Sequence, residues 1–296
     1  MLTRRGMLVT AVGSVLAGAT GCSRRNPTII GRPSAAPSVT SAAAAVDPGP
    51  YAALAAGLAA AVRGGAAGTD RLGDYRDRAA SAFDAHASLL AATSRPGTAP
   101  GGGLADAAGA AAGRFLAAPA RGVLAARLAS AGAYAAAVGS LAGATAPRTP
   151  TDAPSSDTIA SLGDAEAMSA LVAQLHAAIF AAQAAVAQLS GEDAAWARTL
   201  LSHHLAARDG LAAELGRRSV RVPVAAVAYA IDRPTDTASA VALLARVEAA
   251  VLPDACRLVR AATDETVRTL GATTLEDAAV AVARSGGALP VWPGWA

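Results

Sequence analysis

Residues 168–215 read MSALVAQLHAAIFAAQAAVAQLSGEDAAWARTLLSHHLAARDGLAAEL, and this stretch decides the fold class. From Met168 to Leu189 apolar residues recur at alternating steps of four and three, which is the period of a helix with one buried face. Ser190-Gly191 interrupts the pattern, and a second apolar face continues to Leu215. We therefore predict two long helices joined by a tight antiparallel turn.

The composition of the whole chain also favours helices. Hydrophobic residues make up 53% of the 296 residues, more than half of them alanine, while aromatic residues make up only 3%. Alanine is the strongest helix former, and the β-branched and aromatic residues that strands prefer are sparse. The basic residues are all arginine and form no basic block at a net charge of +3, so we expect no nucleic-acid partner.

Helical patterns cover most of the chain on both sides of a linker at 145–157 that is rich in Pro, Ser and Thr. Four segments precede the linker: 51–64, 70–92, 103–117 and 120–143. Four longer segments follow it: 164–190, 192–217, 236–261 and 264–285. The stretch from Arg217 to Pro234 has lost the helical period and predicts a crossover connection. The tail from Gly286 to Ala296 predicts an extended arm whose Trp292 and Trp295 cover a groove of the bundle.

The order of these elements predicts an all-α protein. Helix, short turn, helix, long connection, helix, short turn, helix is the order of a ferritin-like four-helix bundle. We assign this bundle to a domain at 158–296, and a second, smaller helical bundle to an N-terminal domain at 51–144.

Residues 1–22 predict an export signal. Arg4 and Arg5 precede an apolar run from Met7 to about Gly18, which is too short to span a bilayer comfortably. The paired arginines followed by apolar residues resemble the twin-arginine export signal.

The end of this signal resembles that of a lipoprotein. Small residues lead to Cys22, whose thiol would receive diacylglycerol, although Ala19 stands where leucine is preferred. Residues 23–50, rich in Ser, Pro, Ala and Gly, then predict a flexible tether. We expect the protein to be lipid-anchored at the extracytoplasmic face of the cell membrane, or secreted if Cys22 is not lipidated. Acylation would leave Cys256 alone and buried, whereas a Cys22–Cys256 disulfide requires that lipidation does not occur.

Four motifs of the second half carry a resemblance to a known family. They are LHAAIFAAQAAV (Leu175–Val186), HHLAARDGLAAEL (His203–Leu215), ALLARVEAAV (Ala242–Val251) and the closing LPVWPG. With these motifs, about residues 160–296 resemble the ferritin-like domain of unknown function of alanine-rich exported actinobacterial proteins. The resemblance implies a four-helix bundle. It also implies a glutamate just before the histidine of the first helix, where this chain has Leu175.

The sequence excludes a conventional di-iron centre. Such a centre needs Glu-x-x-His on two helices, which places both ligands on one helical face. No histidine of this chain has a glutamate three residues before it; those places hold Phe83, Ala173, Leu200 and Leu201. We therefore expect no ferroxidase activity, no catalytic residue, no cofactor and no metal.

A weaker candidate site consists of four polar residues at mid-bundle. Counting residues from the predicted turns places His176, His204, Glu248 and Asp277 at nearly the same level, with His204 pointing further inward than its neighbour His203. Two imidazoles and two carboxylates suit Zn²⁺, but a hydrogen-bonded network without metal satisfies the same groups and is the reading we favour. Pro253 in the third helix of the bundle is expected to kink that helix and shift its register.

These features favour a membrane-tethered, non-catalytic helical bundle of the cell envelope that serves as a scaffold or binds an envelope protein partner. One alternative is a divergent metal-binding or redox protein that uses the polar layer. Another is a carrier of an apolar ligand in a groove between the two helical halves.

Overall fold

A computed structural model describes residues 46–90 and 101–295 of this chain. Arg4, Arg5 and Cys22, and with them the predicted signal and nearly all of the predicted tether, lie outside the described residues. The described part contains eight α-helices, one 3₁₀ segment and one pair of short strands. The all-α prediction is therefore confirmed.

The helices begin and end within a few residues of the predicted limits. The N-terminal half contains α1 (Gly49–Arg63), a 3₁₀ segment (Thr69–Tyr75), α2 (Arg76–Leu90), α3 (Leu104–Leu116) and α4 (Gly122–Gly143). The C-terminal half contains α5 (Asp164–Val186), α6 (Gly191–Arg217), α7 (Thr237–Ala261) and α8 (Glu265–Arg284). Strands β1 (Thr151–Ala153) and β2 (Ala288–Pro290) pair in parallel and join the linker to the tail.

Local sequence signals fix where these helices start. Gly191 opens α6 with a φ of +56°, a left-handed conformation that glycine adopts readily. Asp236 caps α7 by accepting a hydrogen bond from the backbone N–H of Ser239, in a capping box. Asp264 caps α8 by accepting from the N–H groups of Thr266 and Val267.

Helices α5 to α8 form the predicted four-helix arrangement. α5 packs against α6 and α7, and α8 packs against the same two helices, so α6 and α7 occupy opposite corners. The start of α7 lies beside the turn between α5 and α6, because the Thr237 hydroxyl donates to the carbonyl oxygen of Gln188 at 3.2 Å. Just beyond the end of α7, the Thr263 hydroxyl donates to Asp164 at the start of α5, at 3.0 Å.

This arrangement makes α7 antiparallel to α5 and parallel to α6, so residues 218–236 must run the length of the bundle. The predicted crossover is therefore present, and the topology is consistent with a ferritin-like bundle. α7 continues through Pro253 from Thr237 to Ala261 without ending.

The larger of two hydrophobic clusters runs through both halves of the described chain. Contacts group Ala45–Ala296 into one compact unit, and the predicted linker at 145–157 lies inside it. α4 packs against α3 on one side and against α7 and α8 on the other. Small residues allow α4 to approach α3 closely, since a Cβ added at Gly132 would lie 3.0 Å from the Cβ of Phe115.

Two helices, Gly122–Gly143 and Asp164–Val186, are long and apolar enough by composition to cross a bilayer. Core helices of globular proteins satisfy the same criterion, and both helices contribute buried residues to the shared core.

The C-terminal tail is an integral part of this core. The Trp295 side chain is 4% exposed, and the guanidinium carbon of Arg127 lies 5.5 Å from its ring centre. Gly294 has a φ of +85°, and a Cβ at that position would come within 2.4 Å of the Cβ of Cys256 and 2.6 Å of the Leu252 carbonyl oxygen. The tail thus packs so closely against α7 that residue 294 must be glycine.

Candidate functional site

A buried ion pair joins the two helices that occupy opposite corners of the bundle. The His204 Nε2 on α6 donates to the Glu248 carboxylate on α7, with distances of 2.9 and 3.0 Å to the two oxygens. The side chains are 1% and 0% exposed. Each lies on the apolar face of its own helix, His204 with Leu211 and Glu248 with Leu244, which is why the fold brings both into the core.

Glu248 is the main electrostatic partner of His204. Burial opposes protonation of His204, but the charge and hydrogen bond of Glu248, together with the charge of Asp277, outweigh it and raise the pKa of His204 above its ordinary value. The two side chains form a hydrogen-bonded pair inside an apolar core, and Glu248 favours the protonated form of His204. The pair gives each buried group a hydrogen-bond partner in place of water.

Asp277 bonds to a residue outside the predicted polar layer. Its two carboxylate oxygens each lie 3.1 Å from the Nδ1 of His203, which is half exposed, rather than bonding to His204. Asp277 still acts on His204 through its charge. The predicted orientation of the adjacent histidines agrees with the structure, since His204 is buried and His203 faces solvent.

His176 lies away from this pair. Its Nε2 donates to the carbonyl oxygen of Pro223 in the crossover at 3.3 Å, and its side chain is half-buried. The sequence argument did not predict that the crossover would supply the hydrogen-bond partner of His176.

Of the four predicted residues, His204 and Glu248 bond to each other, whereas Asp277 bonds to His203 and His176 bonds to the crossover. Within residues 46–90 and 101–295, no three His, Cys, Asp or Glu side chains are arranged to hold a metal ion. At mid-bundle, the hydrogen bond to Glu248 favours the protonated form of His204.

Sequence reasoning missed a buried aromatic cluster around His86. The His86 Nε2 donates to the Val291 carbonyl oxygen at 2.6 Å, and its ring centre lies 4.3 Å from that of Trp292 and 5.3 Å from that of Tyr134. Burial lowers the pKa of His86 to about 4, against a smaller opposing effect of the hydrogen bond to Val291. Because 205 residues separate the hydrogen-bonded partners, no local period could have revealed the contact.

A polar cleft of about 690 Å³ lies where the linker meets the start of α6. Arg148 crosses it, with one guanidinium nitrogen 2.7 Å from the Asp193 carboxylate and another 3.1 Å from the Arg284 carbonyl oxygen. The hydrogen bond from Arg148 lowers the pKa of Asp193, burial opposes this, and the charges of Arg148 and Arg284 add to the lowering. Arg148 and Asp193 thus neutralise each other within the cleft.

Comparisons with known proteins give partial matches to this chain. No curated protein matches this chain. The crystal structure of the conserved hypothetical protein rv2844 from Mycobacterium tuberculosis aligns with 41% of this chain and 93% of its own length, at 25% sequence identity and a TM-score of 0.39. Residues 167–296, which contain most of α5, all of α6 to α8 and the tail, match the family described as Domain of unknown function (DUF4439).

Proposed function

We propose that this protein is a membrane-tethered, non-catalytic helical-bundle lipoprotein of the cell envelope that acts as a scaffold or partner-binding module. The observation that carries the proposal is the buried His204–Glu248 pair. It occupies the middle of the bundle, the region in which ferritin-like carboxylate proteins build their metal centres, and its two groups bond to each other there. The predicted lipoprotein signal supports the tether.

The tether is tested in cells that express the full chain. Metabolic labelling with an alkyne fatty acid should tag the protein, and membrane fractionation should recover it with the membrane. Cys22→Ala should remove the label and release the protein from the membrane fraction, and Arg4→Lys combined with Arg5→Lys should retain the precursor in the cytoplasm. Cys256→Ala is the matched control and should keep the label, since Cys256 is fully buried. An unlabelled wild-type protein would contradict the proposal.

A further inference from the structure

The crossover carries an exposed apolar segment that the bundle does not use. Residues 222–231 read VPVAAVAYAI. Val224 is 81% exposed and Val227 is fully exposed. The other exposed large apolar side chains in the described part of the chain lie between 38% and 47%: Leu89, Val123 and Phe180.

Contacts on both sides of this segment hold it in place. On one side, the Pro223 carbonyl oxygen accepts the hydrogen bond from His176. On the other, the ring of Tyr229 lies 5.4 Å from that of Phe180, and its hydroxyl oxygen accepts from the Ala226 N–H at 3.0 Å. Residues 224–228, which we term the apolar arch, are all exposed between these two attachments.

The unpaired charges that border the apolar arch along the crossover are positive. Arg221 and Arg233 flank it and are both exposed, and neither forms an ion pair within the described residues. No acidic residue occurs between Glu214 and Asp232, and Asp232 pairs with Arg246 at 3.1 Å. An apolar projection bordered by free cations is complementary to an anionic phospholipid surface, where acyl chains lie beneath negative headgroups.

The chemistry of the arch favours a bilayer over a protein partner. Protein interfaces derive most of their binding energy from large aromatic or arginine anchors buried in fitted pockets, whereas the arch offers only alanine and valine on a projecting surface. The adjacent tyrosine suits the depth of the headgroups, where amphipathic rings are enriched.

We infer that the apolar arch inserts into the headgroup region of an anionic bilayer and turns α5 toward the membrane. The inference rests on the proposed membrane tether, which would keep the bundle near the bilayer without fixing its orientation. Because tethering keeps the effective concentration of the arch at the membrane high, a weak contact by the arch is enough to fix that orientation.

Site-directed spin labelling tests the orientation directly. In a chain that begins at residue 22 with Cys22→Ala, and so lacks the apolar run of the predicted signal, the remaining Cys256 is completely buried. A nitroxide reagent then labels only an introduced cysteine. We expect the label at Val227→Cys to gain accessibility to oxygen and lose accessibility to a water-soluble nickel complex on addition of phosphatidylglycerol vesicles. The matched control is Val123→Cys on α4, whose label should remain accessible from water. A Val227→Cys label that stays in water at saturating lipid would overturn the inference and favour a protein as the partner that contacts the arch.

Vesicle flotation measures the strength of the contact in the same Cys22→Ala background. We expect Val224→Asp with Val227→Asp to lower partitioning into phosphatidylglycerol vesicles about tenfold or more. Arg221→Ser and Arg233→Ser should each lower it about fivefold, with little change for neutral phosphatidylcholine vesicles. The control pair Leu89→Asp and Val123→Asp adds the same charges elsewhere and should leave partitioning unchanged; an equal loss in both pairs would refute the role of the arch.

Both experiments use a chain without the lipid-accepting cysteine. Their outcome is therefore independent of whether Cys22 is lipidated in cells, and failure of the tether is distinguishable from failure of the arch.

Discussion

At the scale of single residues, the adjacent histidines of α6 show how one position along a helix changes the chemistry of a side chain. His204 is enclosed with Glu248 in the core, whereas His203 meets Asp277 at the surface. Ion pairs exposed to water contribute about 0–1 kcal/mol, because solvent screens the charges. Removing one member of a buried pair costs about 3–5 kcal/mol, because the other member is left desolvated and unpaired.

We predict that Glu248→Ala destabilises the protein by about 3–5 kcal/mol in urea-induced unfolding. Replacing both residues, as His204→Leu with Glu248→Leu, should recover most of that loss, because no uncompensated polar group remains. The surface pair supplies the control, and Asp277→Ala should cost less than about 1 kcal/mol. A double variant no more stable than Glu248→Ala would show that the pair contributes more than mutual neutralisation.

The same pair bears on the metal-binding alternative. A redox or metal centre at this position would require His204 to exchange its carboxylate partner for an ion. Elemental analysis of the purified full chain is the measurement, and we expect less than stoichiometric metal. Stoichiometric metal that disappears in the His204→Leu and Glu248→Leu variant would favour the alternative over the proposed function.

At the scale of elements, the C-terminal tail shows how a segment without regular secondary structure joins several helices. Its β2 strand pairs with β1 of the linker, Val291 accepts a hydrogen bond from α2, and Trp295 stacks under Arg127 of α4. The tail therefore fastens the N-terminal helices to the bundle. Gly294 allows this path because its position leaves no room for a side chain.

We predict that Gly294→Ala displaces the tail and destabilises the protein by about 2–5 kcal/mol, from the unfavourable left-handed backbone together with overpacking against α7. Displacement is measured by thiol labelling in a Cys22→Ala background, because Cys256 is buried under the tail and burial raises the pKa of its thiol to about 12. Labelling of Cys256 should become faster.

The control for this substitution is Gly109→Ala in α3. A Cβ at Gly109 meets no atom within 4 Å, so this change should stabilise the helix by up to about 1 kcal/mol and leave Cys256 unreactive. Equal labelling rates in the wild-type and Gly294→Ala proteins would contradict the role assigned to the tail.

At the scale of the whole molecule, one core connects helices that the sequence divides into two groups. α4 is the shared element, since it packs against α3 and also against α7 and α8. Two buried histidines sit in this common core and affect stability in opposite directions as the pH changes. Their pKa values lie on opposite sides of the ordinary histidine value of 6.5.

We predict that the protein loses stability as the pH falls from about 6.5 to about 4. His86 stays neutral in the folded state, with a pKa of about 4, while the unfolded chain takes up a proton below its ordinary value. That difference is worth up to about 3 kcal/mol, fully present above pH 6.5 and lost as the pH falls through the folded pKa.

Denaturant unfolding of wild type and His86→Gln at pH 7 and pH 4 measures this contribution, since the variant removes the titrating group but not the carboxylates that also respond to acid. We expect the wild type to lose about 3 kcal/mol more than the variant over this range. His204 acts in the reverse sense: its raised pKa stabilises the fold below about pH 6.5, and this contribution is lost as the pH rises through its folded pKa. Parallel pH profiles for wild type and His86→Gln would contradict the assignment to His86.

Sequence alone determined which segments of this chain are helical and which faces of them are buried. The apolar period of residues 168–215, the turn at Ser190-Gly191 and the loss of period after Arg217 predicted α5, α6 and the crossover. These features are local, because helical period and turn chemistry depend on residues a few positions apart. The inward orientation of His204 followed from the same rule.

Only the tertiary structure decided which polar groups meet. The partners of His203, His176 and His86 lie 74, 47 and 205 residues away along the chain. Such contacts depend on how helices rotate and pack against one another, which a periodic pattern leaves undetermined. The predicted position of His176 along α5 therefore did not identify its partner, because the crossover supplies the carbonyl group of Pro223 to it.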